Sequence, residues 1–299
     1  MDQYIAGKTL GRPPYTKGKE PKNKKYIGGT IFTDHASQSV FVKHQISLNA
    51  GETIRAKHAF EQVSLSFRVK VKQYLTDNTS FSSELFLKDI KVQNQNMKFS
   101  GVGAHHQNAI AERSIQTVTQ LARAMMCHAT IMWPDQVNLE LWPFIMDHAV
   151  YNNVPKLNHK RSPVELLSKT LQTNYNHLHI LHVFGCPSYV LDPKLQDGHT
   201  IPKWTPRARR GQYLGVSPSH LTLVGRILNP DSGYVSPQYH VVYDDLFTSV
   251  PNLDNGGFNK DLDPFNETEQ KNLVELGHER KFLELNPSQN EKIPSLDNT

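Results

Sequence analysis

The chain's 299 residues, 37% hydrophobic and 20% charged, allow one large domain with a smaller companion and rule out a disulfide-stapled miniprotein or a collagenous fibre. No apolar run approaches the roughly 18 residues of a membrane span, and Met1-Asp2-Gln3-Tyr4-Ile5 opens no secretory or transit pattern, so no membrane partner and a nuclear or cytoplasmic setting are expected. Cys127 and Cys186, the only cysteines, then read as free thiols. The net charge of +5 is the balance of a +10 body and a −5 tail, since residues 251–299 hold ten Asp/Glu against five Lys/Arg. A basic body points to a polyanionic partner, because neutralised phosphates release counterions.

Residues 7–25 hold seven Lys/Arg, three glycines and Pro13-Pro14 without apolar periodicity, and read as an exposed basic loop. Thr30–Thr33 and Ser39–Val42 read as strands joined by a turn at Asp34-His35-Ala36-Ser37. Gly51–Phe67, with Ile54, Ala59, Phe60 and Val63, predicts a helix. Val69–Lys72 alternates and leads to a strand ending in Asp77-Asn78; a helix over Phe81–Ile90 and a weaker strand at Asn96–Phe99 follow. The longest helical signal, His106–Ala129, sets Ile115, Val118, Leu121, Ala122, Met125, Met126 and Ala129 on a core face, with Glu112, Gln116, Thr119 and Arg123 opposite. Further helices are predicted over Gln136–Tyr151 and from Ser162-Pro163. Short strands at Tyr189–Leu191, Gln212–Leu214, Leu223-Val224 and His240–Tyr243 form a small β module. The expected organisation is thus 1–160, a linker at 161–182, the β module at 183–250 and a mostly disordered acidic tail at 251–299.

Asp77 at a strand end and Glu112 early in a helix are two carboxylates of the kind that metal-dependent phosphodiester chemistry uses. Two hard cations roughly 3.5–4 Å apart activate the attacking oxygen and stabilise the leaving one, and carboxylate oxygens hold them. Solvated surface charge is the plain rival reading.

Leu75-Thr76-Asp77-Asn78, followed by Ser100-Gly101-Val102-Gly103-Ala104-His105-His106-Gln107-Asn108-Ala109-Ile110-Ala111-Glu112-Arg113, resembles the catalytic core of a retroviral-type integrase of the copia-type retrotransposon branch. Val183-Phe184-Gly185-Cys186-Pro187, Arg209–Gly215 and Val241–Asp245 resemble the segment that follows that core, so the likeness covers roughly residues 1–247. The resemblance implies an RNase H-like α/β fold, a mixed five-stranded sheet flanked by helices. It also implies DDE-type chemistry: hydrolysis near the element's DNA ends, then attack of the freed 3′ hydroxyl on a target duplex. Asp2, rather than Asp34, matches the first acid; Asp34 reads as a turn acceptor. Asp2, Asp77 and Glu112 would hold Mg²⁺ or Mn²⁺, with Asn108, Arg113, Gln116 and Arg123 approaching DNA along the helix. Homo-oligomers are further expected partners.

Three departures stand out. Thr79 and Ala109 replace glycines of the family pattern, the strand bearing Asp2 lacks its leading half, and the preceding His/Cys zinc module is missing. A truncated copy is implied, and a catalytically silent nucleic-acid-binding remnant and an RNase H-type nuclease stay open beside the integrase reading. Elsewhere, Lys203, Arg207, Arg209 and Arg210 beside Trp204 offer DNA-binding cations and a stacking surface, with solvated surface as the rival. His177, His179 and His182 near Cys186 are a weak zinc pattern that strand-edge histidines explain as well, and Cys127 reads as core.

Overall fold

A computed structural model of the chain describes residues 1–15, 25–77, 81–101, 108–150, 161–170, 180–221 and 223–250. The chain divides into two units, Met1–Asp254 and Asn255–Thr299, and all described residues belong to the first; the predicted acidic tail lies outside them.

Three antiparallel strands, β1 (Asp2–Ile5), β2 (Gly28–Thr33) and β3 (Val40–Gln45), form a sheet in the order β1-β2-β3, with Asp2 opposite Ile31 and Ile31 opposite Val42. β2 is buried on both faces, so its alternation sorts side chains into two cores. Ile31 joins Tyr4, Val118, Ala122 and Phe144 on one side. Phe32 joins Met1, Ala56, Tyr74 and Phe86 on the other. A Cβ at Gly28 would stand 2.1 Å from the Tyr4 carbonyl oxygen, and this close approach of β1 requires glycine. In the β2–β3 turn, Asp34 Oδ2 accepts from the amide and hydroxyl of Ser37, both at 2.7 Å, the role predicted for it.

The Phe32 side is covered by α1 (Ala50–Ser66) and α2 (Glu84–Val92), capped by Asn49 and Ser83, whose side chains accept from Glu52 and Phe86 amides. α2 is the crossover between the parallel strands β4 (Gln73–Thr76) and β5 (Asn96–Phe99). Lys57, wholly buried on α1, meets Asp89 of α2 at 2.7 Å and Glu61 at 3.0 Å, while Tyr74 Oη of β4 donates to Glu61 at 2.7 Å. Pairing with two carboxylates offsets the desolvation of that ammonium.

The predicted continuous five-stranded sheet is corrected here. Its five strands divide into the antiparallel β1-β2-β3 sheet and the parallel β4-β5 pair. β1 pairs with β2 along one edge, and beside its other edge the Met1 ammonium donates to the Leu75 carbonyl of β4 at 2.7 Å without a ladder forming between them. The module after residue 183 contains a five-stranded sheet, antiparallel throughout.

The Ile31 side is covered by α3 (Ala109–Met132), which buries Ala111, Val118, Ala122, Met126 and Ala129, and by α4 (Trp142–Ala149). The long helix expected over Gln136–Tyr151 is broken into 3-10 turns at Pro134–Gln136 and Leu139–Leu141 before α4 starts. Pro143 fits only the first turn of a helix, where its missing N–H costs nothing, so α4 begins beside it. Within the predicted linker, α5 (Pro163–Ser168) opens with a capping box: Ser162 Oγ accepts from the Glu165 amide at 3.3 Å, and Glu165 Oε2 accepts from the Ser162 amide at 2.6 Å.

The β module comprises β6 (Pro187–Leu191), the short α6 (Pro193–Gln196), β7 (Ala208–Val216), β8 (Gly225–Leu228), β9 (Val235–Gln238) and β10 (Val241–Tyr243), in the order β10-β6-β7-β8-β9. The strand expected at Leu223-Val224 lies one step later, at β8. β9 contains Pro237 and sits at an edge, where a missing amide proton breaks no central ladder; this proline hid the strand from sequence reading. Leu214, Leu228 and Val235 of the module share one apolar cluster with Tyr4, Ile31 and Phe144. Gly185, at φ +82°, lets the module's entry pass within 2.8 Å (ideal Cβ position) of the Ala129 Cβ on α3. Among the described residues no helix is long and apolar enough to cross a membrane.

Candidate functional site

Strand alternation sends Met1 and Gln3 toward α1 and sends Asp2 and Tyr4 toward α3. Asp2 therefore opens β1 on the side that α3 covers, Asp77 directly follows β4, and Glu112 occupies the first turn of α3, where the helix dipole favours a carboxylate. Asp2 is half-buried, and its Oδ1 accepts from the Gln3 amide at 2.8 Å. Burial pushes the Asp2 carboxyl up to about 6; the Gln3 bond opposes this, the charge of Asp77 adds to it, the Met1 ammonium opposes it and Glu112 adds again. Asp77 and Glu112, from two other elements, thus both act electrostatically on Asp2. The Met1 ammonium is itself pulled down to about 6 by burial, against the attraction of Asp2 and Asp77. Among the described residues no group of three or more His, Cys, Asp or Glu is gathered closely enough to hold a metal ion.

The DNA-facing residues expected on α3 divide. Arg113, Gln116 and Arg123 are exposed along the helix from Glu112. Asn108 is not: it is 3% exposed at the helix start, makes no capping bond, and its Nδ2 has no hydrogen-bond partner among the described residues. The neighbouring positions Asn78, Thr79 and His105–Gln107 lie outside the described residues.

The basic cluster on the β module also divides. Lys203 and Arg207 are exposed, Lys203 Nζ stands 5.4 Å from the Trp204 ring centroid, and Trp204 is 90% exposed. Arg209 and Arg210 are consecutive on β7 and so point to opposite faces. Arg210 lies 4.3 Å over the Trp133 ring and donates to the Ser249 carbonyl at 3.4 Å. Burial lowers the Arg209 pKa, with Asp231 opposing. These two arginines are built into the fold instead of standing out from it.

Of the zinc pattern near residue 180, the structure describes His182 and Cys186. His182 Nδ1 contacts Asp245 at 2.9 Å and stacks on Tyr243 with ring centroids 3.6 Å apart, while Cys186 is fully buried and burial pushes its thiol up. His177 and His179 fall outside the described residues. His182, Tyr189, Tyr213 and Tyr243 line a cavity of about 660 Å³ in the module.

Sequence reading missed a second polar chain that starts from β1. Tyr4 Oη meets His44 Nδ1 at 2.6 Å, His44 Nε2 meets Asp147 Oδ1 at 2.9 Å, and Arg226 Nη1 donates to Asp147 Oδ2 at 2.9 Å. Burial alone would raise the Asp147 carboxyl, but His44 and then Arg226 hold it below its usual range. The chain joins β1, β3, α4 and β8, and no local motif announces it because its partners lie 40 to 103 positions apart.

No protein-family model and no curated protein matches the chain. Among solved structures, it is similar to the HTLV-2 integrase catalytic core domain in complex with magnesium. For the trimeric form identity is 15% and the TM-score 0.36, over 55% of this chain and 93% of that one. For the dimeric form the figures are 16% and 0.36, over 56% and 92%. It is also similar to the simian T-cell lymphotropic virus intasome in complex with PP2A regulatory subunit B56 gamma, at 13% identity and a TM-score of 0.40, over 81% of this chain and 77% of that one.

Proposed function

We propose that this chain acts on DNA as an integrase-type catalytic region of the copia-type branch, with a DDE-type divalent-cation site at Asp2, Asp77 and Glu112. The reading rests on the position of Asp2 at the start of β1, where Asp77 from the end of β4 and Glu112 from the first turn of α3 both raise the cost of its charge. Asp2, Asp77 and Glu112 are the residues that would hold Mg²⁺ or Mn²⁺, and the cation's charge would relieve the repulsion that Asp2 meets from the other two. When bound, such an ion activates an attacking hydroxyl and stabilises the departing oxygen of a phosphodiester. β1 and the Gln3 amide orient the Asp2 carboxylate, and helix α3 fixes Glu112. Arg113, Gln116 and Arg123 extend from Glu112 as contacts for a DNA strand, and Lys203 and Arg207 add phosphate contacts on the β module.

A second reading, a DNA-binding protein without strand-transfer activity, is favoured by the lack of a tight three-residue metal-binding group among the described residues. Incubation with Mn²⁺, a labelled duplex end and a target duplex separates the two. Joined product that disappears in Glu112→Gln supports the enzyme; DNA retention without product in the parent chain supports the second reading. Preferential cutting of RNA–DNA hybrids would replace both with a ribonuclease.

A further inference from the structure

Tryptophan is highly buried on average and its ring buries a large apolar area, yet Trp204 is 90% exposed. Its backbone is organised nonetheless. The Thr205 amide donates to the Pro202 carbonyl at 3.1 Å, closing a turn with Lys203 and Trp204 at its centre and Pro206 just beyond. The Asp192 amide donates to the Arg207 carbonyl at 2.8 Å and anchors the far end of the turn at the start of α6. Two prolines and two backbone bonds restrict the segment, so little conformational freedom is left to lose when something settles on the ring.

The surroundings of the ring specify what that is. Lys203 Nζ stands 5.4 Å from the indole centroid, and Lys203 and Arg207 are both exposed. A flat aromatic face with a lysine ammonium beside it and an exposed arginine three positions along the chain matches a nucleotide, whose base stacks while its phosphates meet the charges. Inside a duplex both faces of a base are already covered by its neighbours. An indole therefore gains most from an unpaired base at an end, overhang or displaced strand.

We infer that the Pro202–Arg207 turn is a stacking site for an unpaired nucleobase, with Lys203 and Arg207 on the flanking phosphates. The inference rests on the DNA reading above and deepens it: the β module distinguishes single-stranded extensions from blunt duplex.

Of the three tryptophans, Trp133 is buried and Trp142 packs against Tyr4 and His44, so Trp204 supplies the solvent-exposed emission. The full-length chain is titrated, with chelator present so that no cleavage occurs, with three probes. These are a blunt duplex, the same duplex with a thymidine overhang, and the same duplex with an abasic overhang. The expected result is quenching by the thymidine overhang alone, with Trp204→Ala losing about 5- to 150-fold in overhang affinity while keeping its blunt-duplex affinity. Trp204→Phe, which keeps a ring, should recover most of that loss. Equal overhang binding by Trp204→Ala, or equal quenching by the abasic probe, overturns the stacking site and leaves the DNA reading standing. Failure of the parent chain to bind any of the three probes overturns both.

Discussion

Asp2 and Tyr4 are two residues apart on one face of β1, yet the polar groups around them follow opposite electrostatic logic. At Asp2, burial and two further carboxylates push the carboxyl up to about 6, so ionisation there is costly without a cation. At Tyr4, the chain through His44 to Asp147 ends on the Arg226 guanidinium, and Asp147 is held below its ordinary range. One cluster is like-charged and suits a ligand of opposite sign. The other is complementary and already complete, as a structural seam between the first sheet and the β module should be.

The largest expected break in this comparison is chemical. Glu112→Gln should abolish joined product in the Mn²⁺ assay, a loss beyond the roughly 10- to 100-fold that even supporting residues of a metal site cost. Arg226→Ala should leave the fold standing but weaken it by about 1–3 kcal/mol in urea titration. The usual cost of stranding a charged partner is discounted here because Asp147 keeps 33% of its side chain exposed. A double-mutant cycle of Arg226→Ala with Asp147→Asn should show coupling, and none should appear between Arg226 and Glu112.

Asp2→Asn sharpens the contrast through its sign. A carboxyl whose folded pKa is raised stabilises the fold fully below its unfolded value of about 3.8 and loses that contribution as pH rises through about 6. At pH 7 the amide should therefore raise stability by roughly 1–3 kcal/mol. Mg²⁺ should raise the Tm of the parent chain and leave that of Asp2→Asn unmoved. The smallest effect belongs to Asp147. Its lowered pKa contributes stability that is present above the ordinary carboxylate range and lost as pH falls through the lowered folded value, so Asp147→Asn should be less stable than the parent chain at neutral pH, with the difference shrinking in acid. Parallel acid titrations of the parent and Asp147→Asn, followed by circular dichroism, test this.

Helix α1 was visible in the sequence because Ile54, Ala59, Phe60 and Val63 recur at helical spacing, although the fold leaves Val63 exposed and buries Thr53, Ala56, Lys57 and Ser64. The helix expected over Gln136–Tyr151 was not, because its apolar spacing continues through Pro143 while its backbone cannot. Asn108 shows the same limit at one residue: helical spacing put it beside Glu112 and Gln116, and the turn before α3 buried it. Arg209 and Arg210 looked like a surface pair until β7 sent them to opposite faces.

Composition, periodicity and short motifs established a basic body, the order of most elements and two acids, Asp77 and Glu112, worth following, since each of these depends on neighbours within a few turns of chain; Asp2 joined them through the family resemblance. Folding alone decided which distant groups meet. It split the expected sheet between β1 and β4, assembled Tyr4, His44, Asp147 and Arg226, and left Trp204 in solvent. The physical reason is range: backbone preference acts locally, whereas burial and charge act between any residues that packing brings together.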